Sequence, residues 1–184
     1  MTPTDSPADP VDRMTVGVIV ERSKSDSQWI DYLWRPLSVL AGVPETAPWT
    51  VLSGDGARAT FYAGAAGIEL YPSDTTNYRD NLASGAPLLW VVLRPTDADP
   101  PYRVFLVTAD PAEGEAMTEA GNDLVDTVPM PESVRDMVEA FIAAHHVERV
   151  FFKRKRDATD PERGRRGPRR QADVKGPDEP KAGS

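Results

Sequence analysis

The apolar residues of this chain fall in short runs that alternate with a period of two, and turn-forming residues end each run early. In Thr15 to Arg22 (TVGVIVER), Val16, Val18 and Val20 alternate, with Ile19 on the opposite face. That pattern predicts a strand. Trp29 to Leu40 (WIDYLWRPLSVL) is rich in aromatic and branched residues but is interrupted by Pro36. Proline cannot donate to a ladder, so the segment is expected as an edge strand, a bulged strand or two short strands. Trp49 to Leu52 is a further short strand, and Ser53-Gly54-Asp55-Gly56 is a strong turn signal. Ala57 to Ala63 alternates again, and Ala65-Ala66-Gly67 is expected to turn into Ile68 to Tyr71. The spacing from Trp49 to Tyr71 predicts an antiparallel meander with short connections.

The second half follows the same logic with helices added. Ser73-Asp74-Thr75-Thr76 offers N-cap residues before a short helix over Asn77 to Ala83, which ends near Gly85. Pro87 to Arg94 (PLLWVVLR) is the most apolar strand and is expected to be central, with Trp90 in the core. Thr96 to Pro101 forms a hairpin loop, and Tyr102 to Thr108 pairs back. Pro111 to Ala120 resembles an acidic helix, and Leu124 to Val128 a last strand. Pro131 then opens a helix with an apolar stripe of Val134, Met137, Val138, Phe141 and Ile142. That stripe predicts a lid over the core. The expected class is α+β, mostly antiparallel sheet (a sandwich or partly open barrel of six to eight strands) with a short mid-chain helix and a packed C-terminal helix.

The 184 residues allow one domain of ordinary size plus tails. We expect a disordered lead over 1–13, a single domain over 14–152 and a basic disordered tail over 153–184. No cysteine is present, which removes disulfides, thiolate metal sites and a cysteine nucleophile. The N-terminus lacks the basic start and apolar stretch of a signal peptide, and the longest apolar runs are too short to span a bilayer. A cytoplasmic location is expected. The formal charge of −8 divides unevenly: residues 153–184 hold 11 basic and 6 acidic residues, while residues 1–152 hold 10 basic and 23 acidic ones. The acidic body argues against a nucleic-acid binder, although the tail could contact phosphates by itself.

Several groups could carry chemistry, and each has a plainer reading. His145-His146 is the only histidine pair, but adjacent residues diverge around a helix and no thiolate could complete a zinc site. No metal site is expected; a histidine at a helix C-terminus favours the negative end of the dipole. In Thr75 to Leu82, Tyr78 or Asp80 could serve as acid or base and Arg79 could clamp an anion. Capping and ion pairing account for the same residues. Trp29 and Trp34 could line a partner surface. Lys153-Arg154-Lys155-Arg156 forms a basic cluster, preceded by Phe151 and Phe152, which would pin the helix end to the core.

Val39-Leu40-Ala41-Gly42 is similar to the start of the nucleotide loop of molybdenum-cofactor guanylyltransferases. Those enzymes need a second glycine and a lysine; here Val43-Pro44-Glu45-Thr46 follows, and Pro44 removes an N–H that phosphate binding would use. That activity is therefore not expected.

The segments Gly17 to Arg22, Trp34-Arg35-Pro36, Tyr78-Arg79-Asp80-Asn81-Leu82 with Pro87 to Arg94, and His145-His146-Val147-Glu148 running into Phe152 to Arg156 occur in an order that resembles a bacterial family, domain-of-unknown-function family 3305. The resemblance covers roughly residues 15 to 156. The family supplies no catalytic residues. What the resemblance implies is context: its members are typically encoded beside molybdenum- or tungsten-dependent formate dehydrogenases, and some carry a molybdenum-cofactor biosynthesis label. The expected function is a non-catalytic accessory protein in the assembly, maturation or regulation of such an enzyme, with no cofactor of its own. Its partner would be a formate dehydrogenase component or a maturation factor. A small-molecule or cofactor-binding module is the alternative, ahead of an enzyme and of a nucleic-acid binder. The candidate interaction residues are Trp34, Arg35, Tyr78, Arg79, His145, His146 and Lys153 to Arg156.

Overall fold

The computed structural model describes residues 12–119 and 121–147. Two antiparallel sheets share one core. The first has the order β2 (Tyr32–Ala41), β1 (Asp12–Lys24), β4 (Arg58–Leu70), β3 (Thr50–Gly54) and the second the order β6 (Tyr102–Thr108), β5 (Leu88–Pro95), β7 (Leu124–Pro129). The expected α+β class holds, with seven strands among the described residues. The lead up to residue 11, the Phe151-Phe152 anchor and the basic tail, Lys153 to Arg156 included, lie outside the described residues.

β1 (Asp12–Lys24) is the hub of the first sheet and pairs with β2 (Tyr32–Ala41) on one side and β4 (Arg58–Leu70) on the other. It begins at Asp12, three residues before the alternation does. Val16, Val18 and Val20 point into the core and are fully buried, as their spacing requires. β2 is a single edge strand despite Pro36. The ladder steps from Ile19↔Ser38 to Val20↔Pro36, so Leu37 is the extra residue of a bulge. Pro36 is tolerated because an edge strand and a bulge both relax the demand for its missing N–H.

The expected turn at Ala65-Ala66-Gly67 does not exist. β4 runs unbroken for 13 residues because β1 offers it a ladder along its whole length. The bend the sequence suggests is met by a register shift opposite Gly64, whose φ of 132° favours glycine. Gly67 serves a different end. A Cβ there would lie 2.8 Å from Arg13 Nε, so the glycine lets the arginine lie across the strand. The meander thus reduces to one β3–β4 hairpin, with β3 at Thr50–Gly54. Asp55 closes it by accepting from the Ala57 and Arg58 N–H groups at 2.8 and 3.1 Å.

A 3-10 turn (Pro72–Asp74) leads into α1 (Thr75–Ala83). No side chain caps α1, contrary to the capping expected from the Ser/Asp/Thr cluster; the Thr75 hydroxyl instead donates to the Pro72 carbonyl at 3.2 Å. β5 (Leu88–Pro95) is central in the second sheet, between β6 (Tyr102–Thr108) and β7 (Leu124–Pro129). α2 (Pro111–Glu119) connects β6 to β7. Leu89, Val91 and Leu93 are fully buried in the shared core; each contributes roughly 1.5–3 kcal/mol relative to exposure. Trp90 does not join them. It sits on the other face of β5, half-buried beneath α2, where Gly114 is required because a Cβ would enter the indole. Period-two alternation forces that outcome once its neighbours face the core. α3 (Glu132–His145) buries Val134, Val138 and Phe141 of its expected stripe.

β4 runs beside β6, and β2 beside β7, without ladder bonds between them among the described residues. The two sheets therefore make a ring with two open seams rather than a closed barrel.

Candidate interaction surfaces

The structure brings part of the candidate set together at the junction of α1 and α3. His146 follows α3 as its C-cap and reaches α1: Arg79 Nη1 lies 2.9 Å from His146 Nε2, and His146 Nδ1 lies 3.1 Å from Thr75 Oγ1. A guanidinium has no acceptor, so Nε2 must accept and Nδ1 must carry the proton. The donation then runs in one direction, from Arg79 to His146 to Thr75 to the Pro72 carbonyl. His145 diverges, as expected of a neighbour on a helix, and lies 4.5 Å from the Phe141 ring. Phe141 in turn meets Tyr78 edge-on at 6.3 Å.

Tyr78 is held inside the core. Its ring is buried, its hydroxyl accepts from the Tyr71 N–H at 3.2 Å, and burial holds its proton far above the usual tyrosine range. Two asparagines of α1 bond to neighbouring elements. Asn81, one of the few buried polar groups, donates to the Leu88 and Ala109 carbonyls at 2.8 and 2.9 Å and accepts from the Leu88 N–H at 3.0 Å. Asn77 donates to Asp110, whose carboxylate also accepts from the Ala112 N–H at the start of α2.

Trp34 and Arg35 belong to a different place, and the period of β2 sends them to opposite faces. Trp34 faces the core side with Phe61, Trp49 and Tyr102 at centroid distances of 5.6, 5.8 and 6.1 Å. Arg22 inserts among these rings, 4.3 Å from the Tyr32 centroid and 5.4 Å from that of Phe61. Its Nε is buried without a hydrogen-bond partner, and the ring faces take the place of one. Arg35 and Arg58 flank the buried Glu21 from β2 and β4, each 3.0 Å from a carboxylate oxygen. Glu21 and Arg22 were not among the expected residues, since within TVGVIVER they read as a strand end.

Beside this charged patch runs an exposed apolar strip. Trp29 is 85% exposed and Leu33 54%, followed by Ile30, Leu37, Leu40 and Val43. Exposed leucines are ordinary one at a time; here six large apolar residues at and beside one edge strand are exposed. Leu37 shares the face of Leu33 and Arg35 by simple alternation; the bulge flips the phase after it, so that Val39 is buried and Leu40 exposed. The nucleotide-loop look-alike lies at the end of the same strand: Val39 to Ala41 finish β2, Gly42 bridges to Val16, and the chain proceeds to β3.

The third feature is a cleft of about 300 Å³ at the β4–β6 seam, lined by Ala65 to Gly67 of β4, Val104 to Thr108 of β6, and the side chains of Arg13, Glu69, Tyr71 and Glu113. Glu69 bonds Arg13 through one oxygen and accepts from the Tyr71 hydroxyl at 2.8 Å through the other. That bond, then partial burial and the Glu69 charge, raise the Tyr71 pKa, with Glu113 adding less. Among the described residues no cluster of three or more metal-ligating side chains occurs, and no helix is long and apolar enough to cross a membrane.

The model of the family described as "Protein of unknown function (DUF3305)" matches residues 15–156, and the chain belongs to that family. No curated protein and no solved structure matches it.

Proposed function

We propose that this family member is a non-catalytic accessory protein for a molybdenum-dependent formate dehydrogenase, acting in its assembly, maturation or regulation. It docks a component of that enzyme, or of the machinery that matures it, on the outer side of β2. The observation that carries the docking is the exposed strip of Trp29, Ile30, Leu33, Leu37 and Leu40 beside the Glu21–Arg35–Arg58 patch. Apolar anchors rimmed by arginines are the usual anatomy of a protein interface. The choice of partner rests on the genomic setting that the family resemblance implies.

The non-catalytic reading is supported by how the polar candidates are used. Tyr78 keeps its proton, Arg79 and His146 tie two helices together, and Arg35 neutralises Glu21. The test is affinity capture with the full-length protein from cells producing the formate dehydrogenase. Recovery of an enzyme subunit or maturation factor is expected. Failure to recover either, with a small molecule or cofactor raising the melting temperature instead, favours a ligand-binding module.

A further inference from the structure

We propose that Arg22 is the receptor for a carboxylate, an aspartate or glutamate on the partner segment that docks along β2. This deepens the docking reading of β2 and rests on it.

Arg22 is an anomaly among the described residues. Its Nε is the one buried side-chain nitrogen or oxygen there that lacks a hydrogen-bond partner. Its two Nη groups have no acceptor among those residues either, and they reach solvent. The ion pairs of the described residues leave Arg22 out. Its neighbour Glu21 is taken by Arg35 and Arg58 on the other face of β1. Asp26 and Asp31, in the exposed loop that follows β1, do not pair with it.

The guanidinium is also held in place. Its carbon lies 4.3 Å from the Tyr32 ring centroid, 5.4 Å from that of Phe61 and 5.8 Å from that of Trp34. Rings steady a cation through their faces but do not neutralise it. What remains is a fixed planar fork with its Nη ends toward water, the geometry that a carboxylate meets in bidentate fashion. Little ordering is left to be done on binding. The support behind it is strained. Trp49, edge-on to Trp34 at 5.8 Å, has a φ of 67°, in a region that bulky side chains rarely adopt. Such strain persists where the surroundings fix it, and it gathers at binding sites.

Position and charge identify the occupant. The ladder sets Arg22 opposite Trp34, whose neighbours Leu33 and Arg35 are exposed, and the loop beyond Lys24 carries exposed Trp29 and Ile30. An apolar segment seated on the strip therefore has this cation within one ladder step. Tryptophan, tyrosine and arginine are also the residues that dominate protein interfaces. Residues 1–152 hold 23 acidic and 10 basic residues, a charge that repels a phosphate backbone. A lone carboxylate among apolar residues escapes most of that repulsion.

The test uses the full-length protein and two fluorescent peptides of about eight residues, within ordinary strand length. One has a single central glutamate flanked by alternating leucine and serine; the other has glutamine in its place. In anisotropy titrations the glutamate peptide is expected to bind about tenfold more tightly, the scale of one charge-assisted pair. That advantage should shrink at high salt. Arg22→Met should erase it and leave the glutamine peptide's affinity unchanged, a pattern that loosening of the fold would not produce. Arg22→Lys, which keeps the charge and loses the fork, should retain only part of it. Leu37→Asp should weaken both peptides. Equal affinity for the two peptides, or binding of neither, overturns the proposal. So does an advantage that survives Arg22→Met, which would assign it to Arg35 or Arg58. Displacement of the peptide by oligouridylate with the same dependence on Arg22 overturns it in favour of a nucleic-acid site. If Leu37→Asp changes neither affinity while the advantage still needs Arg22, the docking along β2 falls and the carboxylate site stands.

Discussion

Arg79 and His146, 67 positions apart in sequence, meet at 2.9 Å and join the middle of α1 to the end of α3. Because arginine can only donate, the contact fixes the imidazole as an acceptor at Nε2 and a donor at Nδ1 toward Thr75. His146→Ala should cost about 1 kcal/mol, the scale of partly exposed hydrogen bonds. Amide exchange in the last turn of α3 should quicken while β5 stays protected. Unchanged exchange at that turn would show that the apolar stripe alone holds the helix.

Asn81 has a larger role. Its side chain satisfies two carbonyls and one N–H where α1 crosses the ends of β5 and β6. Asn81→Leu keeps the volume but strands those backbone groups, at roughly 1–3 kcal/mol for each one left unsatisfied. A urea melt should show a loss of about 3 kcal/mol or more. A loss below about 1 kcal/mol would mean that the backbone finds other partners.

Acid should act partly through Asp123. Arg94 donates to it at 3.0 and 2.6 Å and holds its carboxyl below the ordinary range. The folded value is depressed, so this stabilisation is complete above about pH 4 and is lost as pH falls through the folded value. Asp123→Asn should therefore flatten the acid side of the stability profile, read from urea melts between about pH 6 and about pH 2. An acid limb identical to that of the unaltered protein would place the sensitive carboxylates elsewhere.

Where local pattern and tertiary demand agree, the sequence was readable. β5, β6, α2 and the α3 stripe follow directly from period and punctuation. Ala65-Ala66-Gly67 misleads because small residues favour a turn only when no neighbouring strand competes, and β1 competes along its full length. Trp90 misleads because size argues for the core, while alternation had already given those places to Leu89 and Val91. Of the candidate residues, Arg79 meets His146, and Tyr78 and His145 each pack on Phe141, but Trp34 and Arg35 part to opposite faces of β2. The cleft was invisible because it depends on which edges remain unpaired, a property of sheet order rather than of any segment.

The central claim is that the β2 strip docks an enzyme component, and the direct measurement is calorimetric titration of the full-length protein with purified formate dehydrogenase subunits. The account predicts saturable binding that Leu37→Asp weakens about tenfold or more, with the melting temperature nearly unchanged because the side chain already faces water. Equal affinity for the altered and unaltered proteins, or no binding of any subunit, would contradict it.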